Sequence, residues 1–234
     1  MSTVRTATTT TTMATSTSPN LSPNLSLVRL LQLASPTLPV GAYSYSQGLE
    51  AAIEAGVVKD AASAERWIRD VLEFSVARME APMLLRLMQG KDVEKLNAFF
   101  LASRETAELR AETAQMGYSL NRLLPELGVE PLAFEEVSFP AAFARAALHW
   151  RIDASEALVA YLWAWLENQV MAAVKAVPLG QTDGQRMLLS IGERISVVAA
   201  EAFDMKDEKL GNFAPGLAFL SSKHETQYSR LFRS

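Results

Sequence analysis

The sequence predicts an all-α fold, a single-domain helical bundle of about eight to ten helices. Three observations carry that expectation. Apolar residues recur at spacings of three and four along most of the chain. No stretch of strand length alternates with period two, and β-branched residues are scattered. Glycine, proline and capping residues fall between the periodic segments, where helices must end and begin. With 234 residues, 49% of them hydrophobic, the chain can bury a substantial core.

In chain order, Leu25 to Leu33 reads as a short helix stopped by Ser35-Pro36, followed by a breaker-rich loop around Pro39 and Gly41. A second helix covers Gln47 to Ala55, with Gly56 placed to cap it. Asp60 can N-cap a longer helix whose core face is Ala64, Trp67, Ile68, Val71, Leu72 and Ser75. Pro82 suits the first turn of the next helix and Gly90 its end, and Asp92 an N-cap for the stretch holding Leu96 and Phe100. From Arg104 to Leu124 the spacing of Leu109, Thr113, Met116, Leu120 and Leu123 makes one buried side, which turns Arg104, Glu108, Arg110 and Glu112 to solvent; Pro125 closes it.

Val129 to Phe139 is loop-like, and Ala141 to Trp150 a short helix. Asp153 with Glu156 opens the most apolar helix, Ala154 to Val177, stopped by Pro178. Its apolar residues surround much of its circumference, as expected of a central helix touching neighbours or a second subunit on several sides. Another helix runs from Asp183 to Phe203. The chain divides into a disordered Ser/Thr-rich head (1–25), a helical domain (26–205) and a C-terminal tail of the same domain (206–234), where Gly211, Pro215 and Gly216 interrupt the pattern and charges mix with aromatics.

A formal charge of −4 and a pI near 5.4 argue against nucleic acid as the main ligand. The absence of cysteine removes disulfides, thiolate zinc sites and Cys nucleophiles, and leaves a reducing cytoplasm as the simplest setting. The longest apolar run, Ala157 to Leu166, falls well short of the roughly 20 residues that span a bilayer, so no membrane is expected. The head has neither the arginine content of a transit peptide nor the apolar region of a secretory signal.

Candidate chemistry is sparse. The only histidines are His149 and His224, with no HExxH and no pair at helical spacing, so no tight metal site is expected. Both read first as structural or surface residues, His224 as an exposed hydrogen-bonding one with partner or transient metal contact as the alternative. No GxSxG elbow is present. The Gly180 to Arg186 segment precedes a helix start, as phosphate loops do, but lacks the GxxxxGK[ST] spacing; the simpler reading is a tight turn with Asp183 or Thr182 as N-cap. The two tyrosines of the Gly41 to Glu50 loop either close a core edge or serve an interface.

Four segments together resemble the urease accessory protein F family (UreF). They are Leu38-Pro39-Val40-Gly41-Ala42-Tyr43-Ser44-Tyr45-Ser46-Gln47-Gly48-Leu49-Glu50, Glu112-Thr113-Ala114-Gln115-Met116-Gly117, Val177 through Arg186, and His224-Glu225-Thr226-Gln227-Tyr228-Ser229-Arg230-Leu231-Phe232. The resemblance covers residues 26 to 234 and leaves out the Thr-rich head.

What the resemblance implies is a non-enzymatic, cytoplasmic, homodimeric protein acting in maturation of nickel urease. It would bridge the D-type accessory protein (called H in some organisms) and the G-type GTPase and serve the urease apoprotein. Nickel would be handled by the assembly, with no cofactor bound by this chain; control of GTP hydrolysis on the G-type protein is the alternative role. The family's partner-binding surface maps onto Tyr43, Tyr45, Gln47, Glu50, Lys175, Gln181, Asp183, Gln185, Arg186, Tyr228 and Arg230, with Arg230 foremost because its guanidinium fork can bridge two chains. Residues 211–234 are expected to be loosely held alone and to order against the D-type partner, with Phe213, Phe219, Tyr228 and Phe232 as anchors.

Overall fold

In the computed structural model, residues 23–234 are described; residues 1–22 of the Ser/Thr-rich head lie outside them, while 23–25, assigned to the head by composition, belong to the first helix. Among the described residues there are ten α-helices and no strand: α1 (Pro23–Ala34), α2 (Leu49–Glu54), α3 (Ala61–Val71), α4 (Ala81–Leu87), α5 (Val93–Ala102), α6 (Ala107–Leu123), α7 (Phe139–His149), α8 (Ala154–Ala176), α9 (Gln181–Phe203) and α10 (Pro215–His224). The all-α prediction holds.

Local chemistry sets most helix starts. Asp60 accepts from Ser63 N at 2.8 Å while Ser63 Oγ accepts from Asp60 N at 3.1 Å, a reciprocal capping box that satisfies two otherwise orphaned donors. Asp153 caps α8 through Ser155 N and Glu156 N, and Thr106 caps α6 through Leu109 N at 3.2 Å. Two expected caps differ. Asp92 adopts left-handed backbone, φ 49°, and makes no side-chain cap. Helix α9 begins at Gln181, earlier than expected, because Asp183 reaches back from inside the helix to accept from Gly180 N at 3.3 Å.

The helix expected to restart at Pro82 does not break. A π-helical stretch, Leu72–Glu80, joins α3 to α4 without interruption, and Ala81 N–H reaches five residues back to Val76 O. Pro82 has no N–H to donate to Arg78 O and its ring crowds that carbonyl, so a widened turn lets the helix pass. Carbonyls along the stretch then serve the C-terminal region: Phe74 O accepts from Phe213 N at 3.0 Å and Arg78 O from Gly211 N at 3.4 Å.

Helix α8 is the central helix, packing most extensively on α9 and also against α1, α2, α3, α4 and α7. Leu158, Leu162 and Leu166 are fully buried, and the Phe139, Phe143 and Tyr161 rings pack at centroid separations of 5.3 to 6.1 Å. Gly184 brings α9 close to α8: a Cβ there would lie 2.9 Å from Val174 Cγ2. Gly117 is tighter still, since a Cβ would fall 2.0 Å from Val137 O. The 128–138 loop is thereby laid directly on α6, pinned by Asn97, which donates to Glu136 O and accepts from Ser138 N, both at 2.8 Å.

The C-terminal segment, expected to be a loose tail, is packed. Helix α10 lies on α2 and α6; the strap after it returns to the core, with Phe232 and Ser234 buried. Arg233 N donates to Ser44 O at 2.7 Å and Ser46 N to Ser234 O at 2.8 Å. Periodicity could not show this, because the strap is held mainly by hydrogen bonds to residues far away in sequence.

Candidate functional site

The Gly41 to Glu50 motif is a compact turn with two consecutive residues in the left-handed region, Gln47 at φ 50° and Gly48 at φ 75°. For a glutamine that conformation costs about 1 kcal/mol, and its side chain offsets the cost. Gln47 Nε2 donates to Glu112 Oε1 and Gln47 Oε1 accepts from Trp165 Nε1, each at 2.8 Å. Gln47 is therefore interior, and so is Tyr45; burial raises the Tyr45 phenol above its ordinary value, partly countered by a hydrogen bond from Arg233. Tyr43 alone of this trio projects outward.

Beneath the turn lies a buried polar cluster. Arg104, expected at the surface, has a side chain only 4% exposed and pairs with Glu80 at 2.7 Å. Tyr161 OH donates to the second Glu80 oxygen at 2.8 Å. Burial pulls the Arg104 guanidinium down, but Glu80 and Glu105 outweigh it and hold it above its usual value. Glu112, also expected outside, is buried without a cation of its own: its carboxylate receives Gln47 at 2.8 Å and Ser234 Oγ at 3.2 Å. Burial dominates there and pushes Glu112 up to about 7. Helical spacing had turned these charges outward; tertiary packing of α4, α6 and α8 encloses them. A cavity of about 240 Å³ opens onto the cluster past Tyr43, Asn168 and Met171.

Next to it is an open groove of about 430 Å³, walled by Tyr43, Met171, Lys175, Leu179, Gln181 and Phe232. Lys175 Nζ sits 5.1 Å over the Phe232 ring, an attraction that fixes the lysine at the groove wall. Three of the candidates that the sequence singled out, Tyr43, Lys175 and Gln181, thus meet although they lie in separate segments. Gln185 and Arg186 lie further along α9 and are exposed; Arg186 pairs with Asp183 at 3.3 Å.

The second concentration is the strap. Glu50, in the first turn of α2, accepts from Leu231 N at 2.6 Å and Phe232 N at 2.8 Å. Arg230 donates to Glu108 Oε1 at 2.8 Å, to Gln227 O at 3.1 Å and to Glu225 O. It folds the 225–230 loop, and Tyr228 stands fully exposed at that loop's tip. His224 is not exposed as expected: it is fully buried between Glu50 and Glu108. The sequence reading missed Glu80, Arg104, Tyr161 and Trp165. Glu80 carried one detectable signal, a lone acid in the apolar run from Met79 to Leu85.

Among the described residues, no group of three or more His, Asp or Glu converges as a metal site, and no helix is long and apolar enough to cross a membrane. Fold and site together define an all-α protein with a polar interior cluster, a surface groove and a packed C-terminal strap. The chain belongs to the UreF family, whose model matches residues 58–192. It is 57% identical over 225 residues to the urease accessory protein UreF of Azoarcus sp. (strain BH72), covering 90% of this chain and 96% of that one. The UreF proteins of Dechloromonas aromatica (strain RCB) and Janthinobacterium sp. (strain Marseille) are 54% and 53% identical, over 90% and 89% of this chain and 98% of each relative. The names of these relatives describe an accessory protein to urease.

Proposed function

We propose that this chain acts in urease maturation as a non-catalytic, cytoplasmic adaptor. It bridges the D-type (or H-type) accessory protein and the G-type GTPase, so that nickel, the cargo of the assembly, reaches the urease apoprotein. The observation that carries this reading is the match to UreF proteins over about nine-tenths of the chain. The geometry adds two surfaces suited to partners: the groove of Tyr43, Lys175, Gln181 and Phe232, and the Arg230 loop with Tyr228 at its tip. Each offers aromatic rings beside a cation, the composition favoured at binding hot spots.

The reading includes a homodimer. Large apolar side chains on three helices are exposed in the single chain: Leu31 of α1, Trp163 and Met171 of α8, and Leu189 of α9. Exposed apolar side chains of this size are candidates for contact with a second copy.

The test is co-purification of the full chain with the D-type and G-type proteins, comparing wild type with Arg230→Ala and Lys175→Ala. Loss of the complex with helicity and melting unchanged supports an adaptor; a complete complex with both variants removes it. A second reading has this chain control GTP hydrolysis, favoured by Arg186, whose side chain is 75% exposed. An arginine acting on the γ-phosphate raises turnover by about 1,000-fold or more, so unchanged turnover on adding this chain would exclude that role.

A further inference from the structure

The cavity of about 240 Å³ beneath the Tyr43 turn is walled by α1, the turn from Ser35 to Gln47, the end of the π-helical stretch, α6, α7 and α8. Its charges do not balance. Three carboxylates line it, those of Glu80, Glu112 and Glu167, against one cation, Arg104. That guanidinium is already committed, to Glu80 at 2.7 Å and to Glu105 at 3.4 Å. The neutral polar groups are committed too: Tyr161 OH donates to Glu80 and Trp165 Nε1 to Gln47 Oε1, each at 2.8 Å.

Glu112 is the exception. Its two oxygens accept one bond each, from Gln47 Nε2 at 2.8 Å and Ser234 Oγ at 3.2 Å, both neutral donors. An ionised carboxylate has about four acceptor positions, so Glu112 keeps capacity for a cationic N–H donor. The rest of the wall suits what would be attached to such a donor. The rings of Phe139, Tyr161 and Trp165 line the cavity, with aliphatic side chains including Leu38 and Val40. Aromatic faces attract an ammonium group, and aliphatic walls cover a hydrocarbon stem.

We propose that this cavity binds a small primary alkylamine as its ammonium ion, with Glu112 as the counter-ion and the aromatic and aliphatic walls enclosing the alkyl stem. Enclosure by six stretches of one chain is the geometry of a small-molecule site. A lysine side chain of a partner protein would also need room for its backbone where Tyr43, Asn168 and Met171 crowd the mouth. The amine site is a property of this chain alone and does not depend on the adaptor reading.

The test titrates the full chain with n-pentylamine at about pH 8, where the amine is charged. Binding is followed through the indole ¹⁵N–H signal of Trp165, one hydrogen bond removed from Glu112 through Gln47. A saturable shift is expected, and pentan-1-ol, equal in length but uncharged, should bind on the order of tenfold or more weakly, the loss expected of a charge-assisted bond. Glu112→Gln should weaken the amine by a similar factor and leave the alcohol unchanged. Ala164→Leu, which adds bulk to the cavity wall, should abolish binding with Glu112 intact; if Glu112→Gln does not fold, this variant and the amine-to-alcohol ratio decide. No saturable shift, equal binding of amine and alcohol, or undiminished amine binding in either variant would overturn the proposal. Nα-acetyl-lysine N-methylamide should bind more weakly than pentylamine; equal or tighter binding would assign the cavity to a partner's lysine and overturn the small-molecule site.

Discussion

Replacing Glu112 by glutamine removes a buried charge while keeping an oxygen for Gln47 Nε2 and an amide that Ser234 Oγ can accept from. The carboxyl is raised from 4.5 to about 7, chiefly by burial. A folded-state value above the unfolded one means that the folded protein binds the extra proton. The stability that this proton contributes is complete below about pH 4.5 and is lost as pH rises through about 7. At about 1.4 kcal/mol per pH unit of separation, the loss reaches about 3 kcal/mol above neutrality.

Glu112→Gln mimics the protonated form at every pH. It should therefore be more stable than wild type by about 3 kcal/mol at about pH 8, with the gap shrinking to about 1 kcal/mol near pH 5. Urea unfolding followed by circular dichroism at several pH values measures the gap, and thermal melts should move in parallel, by about 2 to 4 °C per kcal/mol for a chain of this size. A gap that does not change with pH, or a variant less stable than wild type at pH 8 (about one unit above the raised value), would refute the claim that Glu112 is a charge held in the interior against its preference.

Two further outcomes follow from packing. Gly117→Ala should cost about 3 kcal/mol or fail to fold, because its methyl group would meet the Val137 carbonyl and displace the loop laid on α6; unfolding by urea reads this directly. On the proposed homodimer, Trp163→Glu should leave helicity intact but lower the mass from dimer to monomer in light scattering, since it puts a charge at an exposed apolar position of α8; an unchanged mass would remove that position from the self-association surface.

Much of the architecture was legible from local rules. The Asp60, Asp153 and Gly56 punctuation and the three-and-four spacing on α3, α6 and α8 express preferences that act within one or two turns, and the helices formed where those rules put them. Part of the candidate site was legible too, because the Tyr43 loop and the Val177 to Arg186 turn were singled out as segments. That Tyr43, Lys175 and Gln181 share one groove was not legible, since it depends on how the loop lies across the junction of α8 and α9.

The sequence by itself determined the all-α class, most of the helices, some of their ends and the family, because capping, periodicity and ordered motifs are read residue by residue. Only the tertiary structure decided which charges are interior. Arg104 and Glu112 lie on what looked like the solvent side, and His224 in what looked like a polar tail, yet all three are enclosed. The physical reason is that a charge can be buried only where its partners arrive from elsewhere. Glu80, Gln47 and Glu50 reach these residues from distances of 24, 65 and 174 positions along the chain, and no local pattern encodes such meetings.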